Sequence, residues 1–499
     1  MHDKVDVLII GSGASGAAVA WSLTDTKMRI LCLEQGDWVK PTDYPTNGRD
    51  WEARLFGDFA INPNRRARET DYPINNGTSP IQVVNFNGVG GSTIMYTAHY
   101  PRLHPSDFKV KTLDGVADDW PIDYETLEPF FAENDRMTGV SGLAGDPAYP
   151  PKQPPMPPIP MGKSGQVLAK AMNKLGWHWW PSDTSIATVD YDGRGRCLNL
   201  GHCTPGCAQG AKASTDITYW PAALRAGVEL RTRARVREIT VDSNGMATGV
   251  IYYDEKGVEH FQPAEMVILA CNGYLGGLSR PVAARVMPIN NFIIATEPLG
   301  ERAAEVLRED IAVADTKFVV NYWRMTPDQR LLFGGGESYG YRFPDILKTV
   351  TKPMLEVYPG LRDVKITHAW GGTLAITMNR MPCLMRPHPN VLSASGFSGH
   401  GVAMATLAGK MMADAVAGQT EGFDLMASLP KPRFPGGAAL RWPLLVAAMT
   451  WYSLRDKLGR CFNSQRHVLL HGFDGRAAKQ VRQVCKRHGY PLGLKVCAV

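Results

Sequence analysis

Val5-Asp6-Val7-Leu8-Ile9-Ile10 runs straight into Gly11-Ser12-Gly13-Ala14-Ser15-Gly16. An apolar run delivered into a glycine-rich turn predicts a strand that feeds a helix. Ala17, Ala18, Val19, Ala20, Trp21 and Leu23 supply that helix, and Met28-Arg29-Ile30-Leu31-Cys32-Leu33 reads as a second strand ending at Glu34. Strand, turn, helix, strand and acid in this order make a dinucleotide-binding βαβ unit. Gly11 permits the tight turn, Gly13 lets backbone N–H groups approach a pyrophosphate, and Gly16 lets helix and strand close together. The phosphates then meet the positive end of the helix. Glu34 stands where an acidic side chain takes ribose hydroxyls. The unit serves FAD and NAD alike, so the choice between them rests on the remaining chain.

The chain has 499 residues, 44% of them hydrophobic and 20% charged, which is ordinary globular composition with room for two or three domains. The first strand opens at Val5, which leaves no space for a signal peptide, and no apolar run approaches the roughly 18 residues of a membrane span. The expectation is a cytoplasmic protein with no integral membrane span. The apolar stretch Trp442–Tyr452 would cover only about 16 Å as a helix, against a bilayer core of about 30 Å, and is expected to pack on the body. Nine cysteines without an export signal suggest free thiols. The net charge of +6 comes from the tail: residues 453–499 hold ten Lys/Arg against Asp456 and Asp474. The nearly neutral body gives no reason to expect a nucleic-acid partner.

Further along, the stretch to about Ser79 lacks periodicity and reads as a long loop over the cofactor domain. Ile81-Gln82-Val83-Val84 leads to a second glycine turn, Gly88-Val89-Gly90-Gly91-Ser92-Thr93. Asp123 is placed to cap an amphipathic helix, and the proline run 154–160 is a stiff connector. Cys197, His202, Cys203 and Cys207 match no zinc or ferredoxin spacing, so no metal is expected there. Strands follow at Val228–Ile239, Gly249–Tyr253 and Glu265–Ala270, the last ending in Cys271-Asn272-Gly273. Strand-like segments at Phe292–Thr296, Phe318–Arg324, Arg330–Phe333 and Lys365–Trp370 predict an antiparallel substrate wall, with a helix over Ile346–Tyr358. Asn390–Ser395 then enters Gly396-Phe397-Ser398-Gly399-His400-Gly401 and a helix over Val402–Val416. One nucleotide needs one pyrophosphate site, so this second helix end is free to stabilise negative charge elsewhere on a cofactor, which favours FAD.

Two families are visible in different parts of the chain. Residues 1 to about 275 resemble the glucose–methanol–choline (GMC) oxidoreductases through Gly11–Gly16, Leu33-Glu34-Gln35-Gly36, Gly90-Gly91-Ser92-Thr93, Pro105-Ser106-Asp107-Phe108, Asp119-Trp120-Pro121-Ile122 and the turn from Gly206-Cys207 to Lys212. Residues from about 272 to 458 resemble the glycine oxidase and D-amino-acid oxidase (DAO) superfamily, near γ-glutamylputrescine oxidases. The carriers are Ala295-Thr296-Glu297-Pro298-Leu299, Leu332–Glu337, Ala369-Trp370-Gly371-Gly372-Thr373, Asn379-Arg380-Met381-Pro382 and Gly396–Gly401. The seam falls at Ala270-Cys271-Asn272-Gly273, so the chain resembles a fusion of two related flavoproteins. Residues beyond about Gly459 match neither family.

The resemblance implies an α/β (α+β) protein with a Rossmann-like FAD-binding domain and an antiparallel-sheet substrate domain. The expected division is 1–44, 200–285 and 385–420 for FAD, 45–199 and 286–384 for a cap, 421–458 for a helical segment and 459–499 for a basic tail. Expected cofactor contacts are Gly11, Gly13, Ser15, Gly16, Glu34, Gly90, Gly91, Ser92, Val236, Gly273, Gly371, Gly396, Ser398, Gly399 and Gly401. His400 and His368 are the candidate catalytic residues. The implied activity is hydride transfer from a small polar substrate to flavin, with oxygen, a quinone or a cytochrome as electron acceptor. C–N oxidation is favoured because the GMC-type C-terminal histidine motif is absent. A CH–OH dehydrogenase and an inactive flavin-binding chimera are the alternatives.

Overall fold

The computed structural model describes residues 3–39, 83, 84 and 86–451, apart from 116–117, 200–202, 204–205, 276, 308–311, 315–320, 327, 338–344, 438–439, 441–442, 445 and 448–450. The expected loop to about Ser79 lies outside the described residues except for its first few, as do His202 and the 459–499 tail.

The opening unit forms as the sequence predicts, with β1 (Val5–Ile10), α1 (Ala14–Ser22) and β2 (Ile30–Leu33). Next come β3 (Val83–Val84), α2 (Tyr124–Thr138), α3 (Lys163–Leu175), α4 (Tyr219–Arg225), β4 (Glu229–Arg231), β5 (Arg235–Val241), β6 (Ala247–Tyr253) and β7 (Glu259–Leu269). The second half supplies β8 (Met287–Thr296), β9 (Ala312–Ala314), β10 (Tyr322–Met325), β11 (Leu331–Glu337), α5 (Ile346–Val357), β12 (Ile366–Ile376), β13 (Cys383–His388), β14 (Val391–Ser395), α6 (Gly401–Val416) and α7 (Glu421–Ala427).

These elements build an α/β fold around two sheets. The larger runs β13-β14-β7-β1-β2-β4. It is parallel from β14 to β4, with β13 antiparallel at one edge and the β5–β6 hairpin continuing antiparallel from β7. β1 is buried on both faces. Val7 and Ile9 join α1 and α6 residues such as Ala17, Ala18 and Leu407, whereas Leu8 and Ile10 join Val250 and Tyr252 of the hairpin. Burial on both faces is why a central parallel strand reads as a continuous apolar run rather than an alternating one.

α1 and α6 approach closely because their contact is lined with small residues. A Cβ placed on Gly409 would stand 2.5 Å from the Ser15 carbonyl oxygen and 2.7 Å from the Ala18 Cβ. α2 joins the same core through Tyr124, Leu127 and Phe131, although the expected division put residues 45–199 in the cap. Its N-cap is Asp123, as expected, whose Oδ1 accepts the Thr126 N–H at 2.9 Å. Its far end is pinned by buried Arg102, which donates through Nε to Asp135 at 2.8 Å and through Nη1 to the Tyr124 hydroxyl at 3.0 Å. Burial outweighs the guanidinium and pushes the Asp135 carboxyl up to about 6.

The second sheet runs β3-β12-β8-β11-β10-β9, antiparallel throughout except where β3 lies parallel to β12. One face is covered by α5, whose Ile346, Val350 and Met354 pack on Phe292, Ile294, Trp323, Leu331 and Phe333. This is the antiparallel wall that the sequence predicts. α3 and β13 were not anticipated as elements. No helix among the described residues is long and apolar enough to cross a membrane. In the apolar stretch near the C-terminus, Leu444 and Trp451 are exposed rather than packed on the body.

The α1–α6 contact yields a stability test. Gly409→Val forces a branched side chain into that crossing and should cost about 1–3 kcal/mol, the usual range for overpacking. Thermal unfolding checks it, and an unchanged midpoint would contradict the close helix approach.

Candidate cofactor and substrate site

The carboxyl ends of neighbouring strands place the predicted loops side by side. In sheet order, β14 ends at Gly396, β7 at Ala270–Gly273, β1 at Gly11 and β2 at Glu34. The crevice outside the carboxyl ends of a parallel sheet is where doubly wound folds bind nucleotides.

In the first turn Gly11 has φ +97°. A Cβ on Gly16 would stand 2.0 Å from the Gly11 carbonyl oxygen, so only glycine fits there, whereas a Cβ on Gly13 would meet nothing within 4 Å. Gly13 thus leaves open space at the start of α1, the feature that a pyrophosphate requires. Ser15 is buried in the first turn of α1. Glu34 is 7% exposed. Its Oε2 accepts the Ser12 N–H at 2.9 Å and the Ser12 Oγ–H at 2.7 Å, and its Oε1 accepts the Gly36 N–H at 2.9 Å. Oε2 thus accepts two hydrogen bonds, and Oε1 retains acceptor capacity for a ribose hydroxyl.

The second glycine turn abuts the first. The Gly90 N–H donates to the Ser12 carbonyl at 3.3 Å, and a Cβ on Gly91 would lie 3.0 Å from the Gly13 Cα. Ser92 is exposed beside them. Val236 pairs with Tyr252 in the hairpin, two residues beyond Ala234, whose N–H donates to the Glu34 carbonyl at 2.8 Å. At the other end of the row, the Asn272 Oδ1 accepts the Gly396 N–H at 3.0 Å. The Ser398 N–H donates to the Ala375 carbonyl at 2.9 Å, and a Cβ on Gly273 would stand 2.9 Å from the Ala375 Cβ. Gly396, Ser398 and Gly399 all have positive φ, and Gly401 opens α6. Gly371 sits within β12, where a Cβ would approach the Asn291 carbonyl oxygen to 2.8 Å, so its glycine serves close strand pairing.

His400 is the exposed residue preceding α6. His368 is not brought to it. It lies seven residues before Ala375 on β12, about 23 Å along the strand, and its Nδ1 is 2.8 Å from the Thr367 Oγ1. The histidine that the sequence reading missed is His99. Its Nδ1 is 2.8 Å from the Ser182 Oγ. Desolvation, and then the neighbouring His400, hold its pKa below the usual histidine value. A lone histidine beyond a glycine turn carries no local signal of such pairing.

Lys212 was likewise unread as a support. It is 1% exposed, and its Nζ donates to the carbonyls of Ile94 at 2.6 Å, Tyr96 at 2.9 Å and Cys203 at 2.6 Å. Burial draws its pKa down to about 8. This ammonium staples the segment after the second turn to the cysteine-bearing loop. Cys197, Cys203 and Cys207 are free thiols on that loop, and no group of metal-holding residues occurs among the described residues. Burial also raises the Cys271 thiol, to about 12, and so keeps it neutral beside the crevice.

The six-stranded sheet contributes its other face. Trp323 and Met325 point to α5, so alternation along β10 turns Tyr322 and Arg324 to the opposite side. That side also carries Ile293, Ala295, Leu332 and Trp370. The Tyr322 hydroxyl donates to the Asn291 Oδ1, and burial lowers the Arg324 pKa. Asn291 pairs with Gly372, three residues before Ala375. This face therefore comes within about 10 Å of the Gly396–Gly401 turn along β12.

Fold and crevice together define a dinucleotide-binding α/β protein. Residues 197–415 match the family described as DAO, FAD dependent oxidoreductase, and the dinucleotide is accordingly FAD. A 2-methyl-1,2-propanediol dehydrogenase of Mycolicibacterium austroafricanum is 41% identical over 276 residues, 54% of this chain and 49% of the relative. A gamma-glutamylputrescine oxidoreductase of Escherichia coli (strain K12) is 41% identical over 199 residues, 39% of this chain and 47% of the relative. The chain thus spans about half the length of each of these curated relatives. Among solved structures, glycine oxidase from Bacillus cereus ATCC 14579 aligns with a TM-score of 0.43 and 13% identity, over 86% of this chain and 99% of that one.

Two substitutions test the geometry. Glu34→Ala should weaken FAD binding by about 1.5–3 kcal/mol, the worth of a hydrogen bond to a charged group. Equilibrium titration of apoprotein reads this, and unchanged affinity would place the ribose elsewhere. Lys212→Met strands three carbonyls and should lower unfolding stability by at least about 3 kcal/mol. Denaturant unfolding checks it.

Proposed function

We propose that this chain is an FAD-dependent oxidoreductase that removes hydride from a carbon bearing nitrogen in a small polar substrate. The observation that carries the C–N reading is the sheet face opposite α5, with Arg324, Tyr322 and Trp370, reached along β12 from the Gly396–Gly401 turn. The family match over residues 197–415 and the relative named gamma-glutamylputrescine oxidoreductase support the same reading.

When bound, FAD supplies the hydride acceptor, and the protein's part is to hold it and to orient the donor. Gly11, Gly13, Ser15, Gly16 and Glu34 hold the ADP half, with Val236 beside the ribose. Gly90, Gly91, Ser92 and Gly273 line the middle of the cofactor. Gly396, Ser398, Gly399 and Gly401 form the turn that would set the start of α6 at its far end, where negative charge develops. Arg324 offers a guanidinium to a carboxylate on the substrate, Tyr322 a hydroxyl, and Trp370 an apolar surface. A neutral amine gives up hydride with its lone pair already free, so this reading requires no dedicated base.

A second reading has its own observation. Alcohol oxidation requires a base for the hydroxyl proton, and the depressed pKa of His99 keeps it neutral close to His400. The relative named 2-methyl-1,2-propanediol dehydrogenase favours this reading. Both fit a chain in which a GMC-like part, 1 to about 275, is joined to a DAO-like part near Ala270–Gly273. The two relatives align over 276 and 199 residues, 54% and 39% of this chain, so neither spans it whole.

Anaerobic mixing of the yellow holoprotein with simple primary amines, γ-glutamylated amines, alcohols and polyols tests the choice. Bleaching by amines is expected, and Arg324→Ala should raise KM for a carboxylate-bearing amine about 10- to 100-fold. Bleaching by alcohols alone, lost in His99→Gln, would reverse the assignment. Flavin that nothing reduces would mark an inactive join.

A further inference from the structure

Between Pro147 and Ser182 the chain carries four lysines and no aspartate or glutamate, in a body whose charges otherwise nearly balance. α3 lies within this stretch. Its Ala169 is buried, and Leu168 and Met172 are half-buried. Val167, Ala171 and Leu175, spaced four apart, form one stripe along the helix, which a repeat of about 3.6 residues per turn directs away from Ala169. That stripe is open: Val167 is 58% and Leu175 44% exposed, and Ala171 is exposed between them. Lys170 and Lys174, both exposed, run along one side of it.

The end of the helix is fixed and aromatic. Gly176 closes it at φ +67°, and the Trp177 N–H donates to the Met172 carbonyl at 2.9 Å. The Trp179 Nε1–H donates to the Asn173 Oδ1 at 2.8 Å, and the Trp180 Nε1–H to the Leu143 carbonyl at 2.8 Å. Three half-buried tryptophans thus follow the last turn, two of them with their N–H groups satisfied. At the other end Ile159 and Met161 lead into the helix with their side chains exposed.

Apolar surface gathered along one helix face is unfavourable in water unless something covers it. A second copy packed face to face would set Lys170 and Lys174 of one chain against those of the other, with no acidic residue in the stretch to answer them. A helix with an apolar stripe, lysines beside it and tryptophans at its end instead fits the boundary between the headgroups and acyl chains of an anionic bilayer. We propose that α3 docks the protein peripherally on an anionic phospholipid surface, with Val167, Ala171 and Leu175 entering the acyl boundary and Lys170 and Lys174 meeting the headgroups. The contact involves no membrane span, and it stands independently of the substrate reading above.

Flotation of the full chain with vesicles tests this, using phosphatidylglycerol and phosphatidylcholine in equal parts against phosphatidylcholine alone. Wild type should float with the first and far less with the second, and the binding should weaken as salt rises. Replacing Lys170→Gln and Lys174→Gln together should weaken it about fivefold per lysine. The pair Val167→Ser and Leu175→Ser should weaken it about 10-fold or more. All four side chains lie on the surface, so the thermal midpoints should match wild type. If the serine pair does not fold, the lysine pair decides by the same flotation. Binding through the basic 453–499 tail alone would survive the serine pair undiminished, and that result overturns the proposal, as does wild type that floats with neither vesicle. A wild-type dimer in light scattering that the serine pair makes monomeric, with no vesicle binding, gives the stripe to a second copy and overturns it as well.

Discussion

A closed circuit of hydrogen bonds around Glu34 holds the two glycine turns together, and the rest of the crevice depends on it. Ser12 and Gly36 both donate to the buried carboxylate. Asp37 then accepts the Val89 N–H at 3.1 Å, and Gly90 donates back to Ser12 at 3.3 Å. Charge-assisted bonds in a buried setting are the strong ones. Removing any link frees one turn relative to the other. The backbone follows the same closure: a Cβ on Gly36 would lie 2.3 Å from the Asn87 carbonyl oxygen, so the two segments touch main chain to main chain.

The circuit also bears on the proposed join near Ala270–Gly273. Contacts between residues on either side of it are extensive and specific. The Tyr100 hydroxyl lies 3.1 Å from the Thr406 Oγ1, Asn134 donates to the Ala403 carbonyl at 3.1 Å, and Gly409 admits α1 against α6. A polypeptide assembled from two related proteins keeps a core only where small residues stay opposite small ones. The α1–α6 crossing meets that demand. The proposed substrate wall is a different matter, because His99 comes from one side of the proposed join and His400, Arg324 and Tyr322 from the other.

The parts legible in the sequence were those with a local signature. Gly11–Gly16, the Asp123 cap and the glycine turn before α6 each carry their physics in a few adjacent residues. β1 and the end of β7, Met266-Val267-Ile268-Leu269, were readable because central parallel strands run apolar without alternation. His99, Lys212 and Arg324 were not legible. Each gains its role from partners more than eighty residues away or from strand parity, and an isolated lysine or arginine in sequence looks solvated. His368 illustrates the converse: the segment was read as a strand, but its register, which puts the residue far from the Gly396–Gly401 turn, is set by pairing with β8. α3 was missed although Val167, Leu168, Ala171, Met172 and Leu175 recur at helical spacing, because it starts behind the proline run at Gly162, which supplies no capping side chain.

The central claim is that the crevice at the carboxyl ends of β14, β7, β1 and β2 holds one FAD. The most direct measurement is the FAD content per chain of purified protein, by visible absorbance after denaturation, for wild type and for Gly13→Val matched in circular dichroism. The account predicts close to one FAD per wild-type chain and none in the folded variant, whose added side chain fills the space left open at Gly13. A wild-type chain that neither carries FAD nor takes it up, or a Gly13→Val chain that retains it in full, would contradict it.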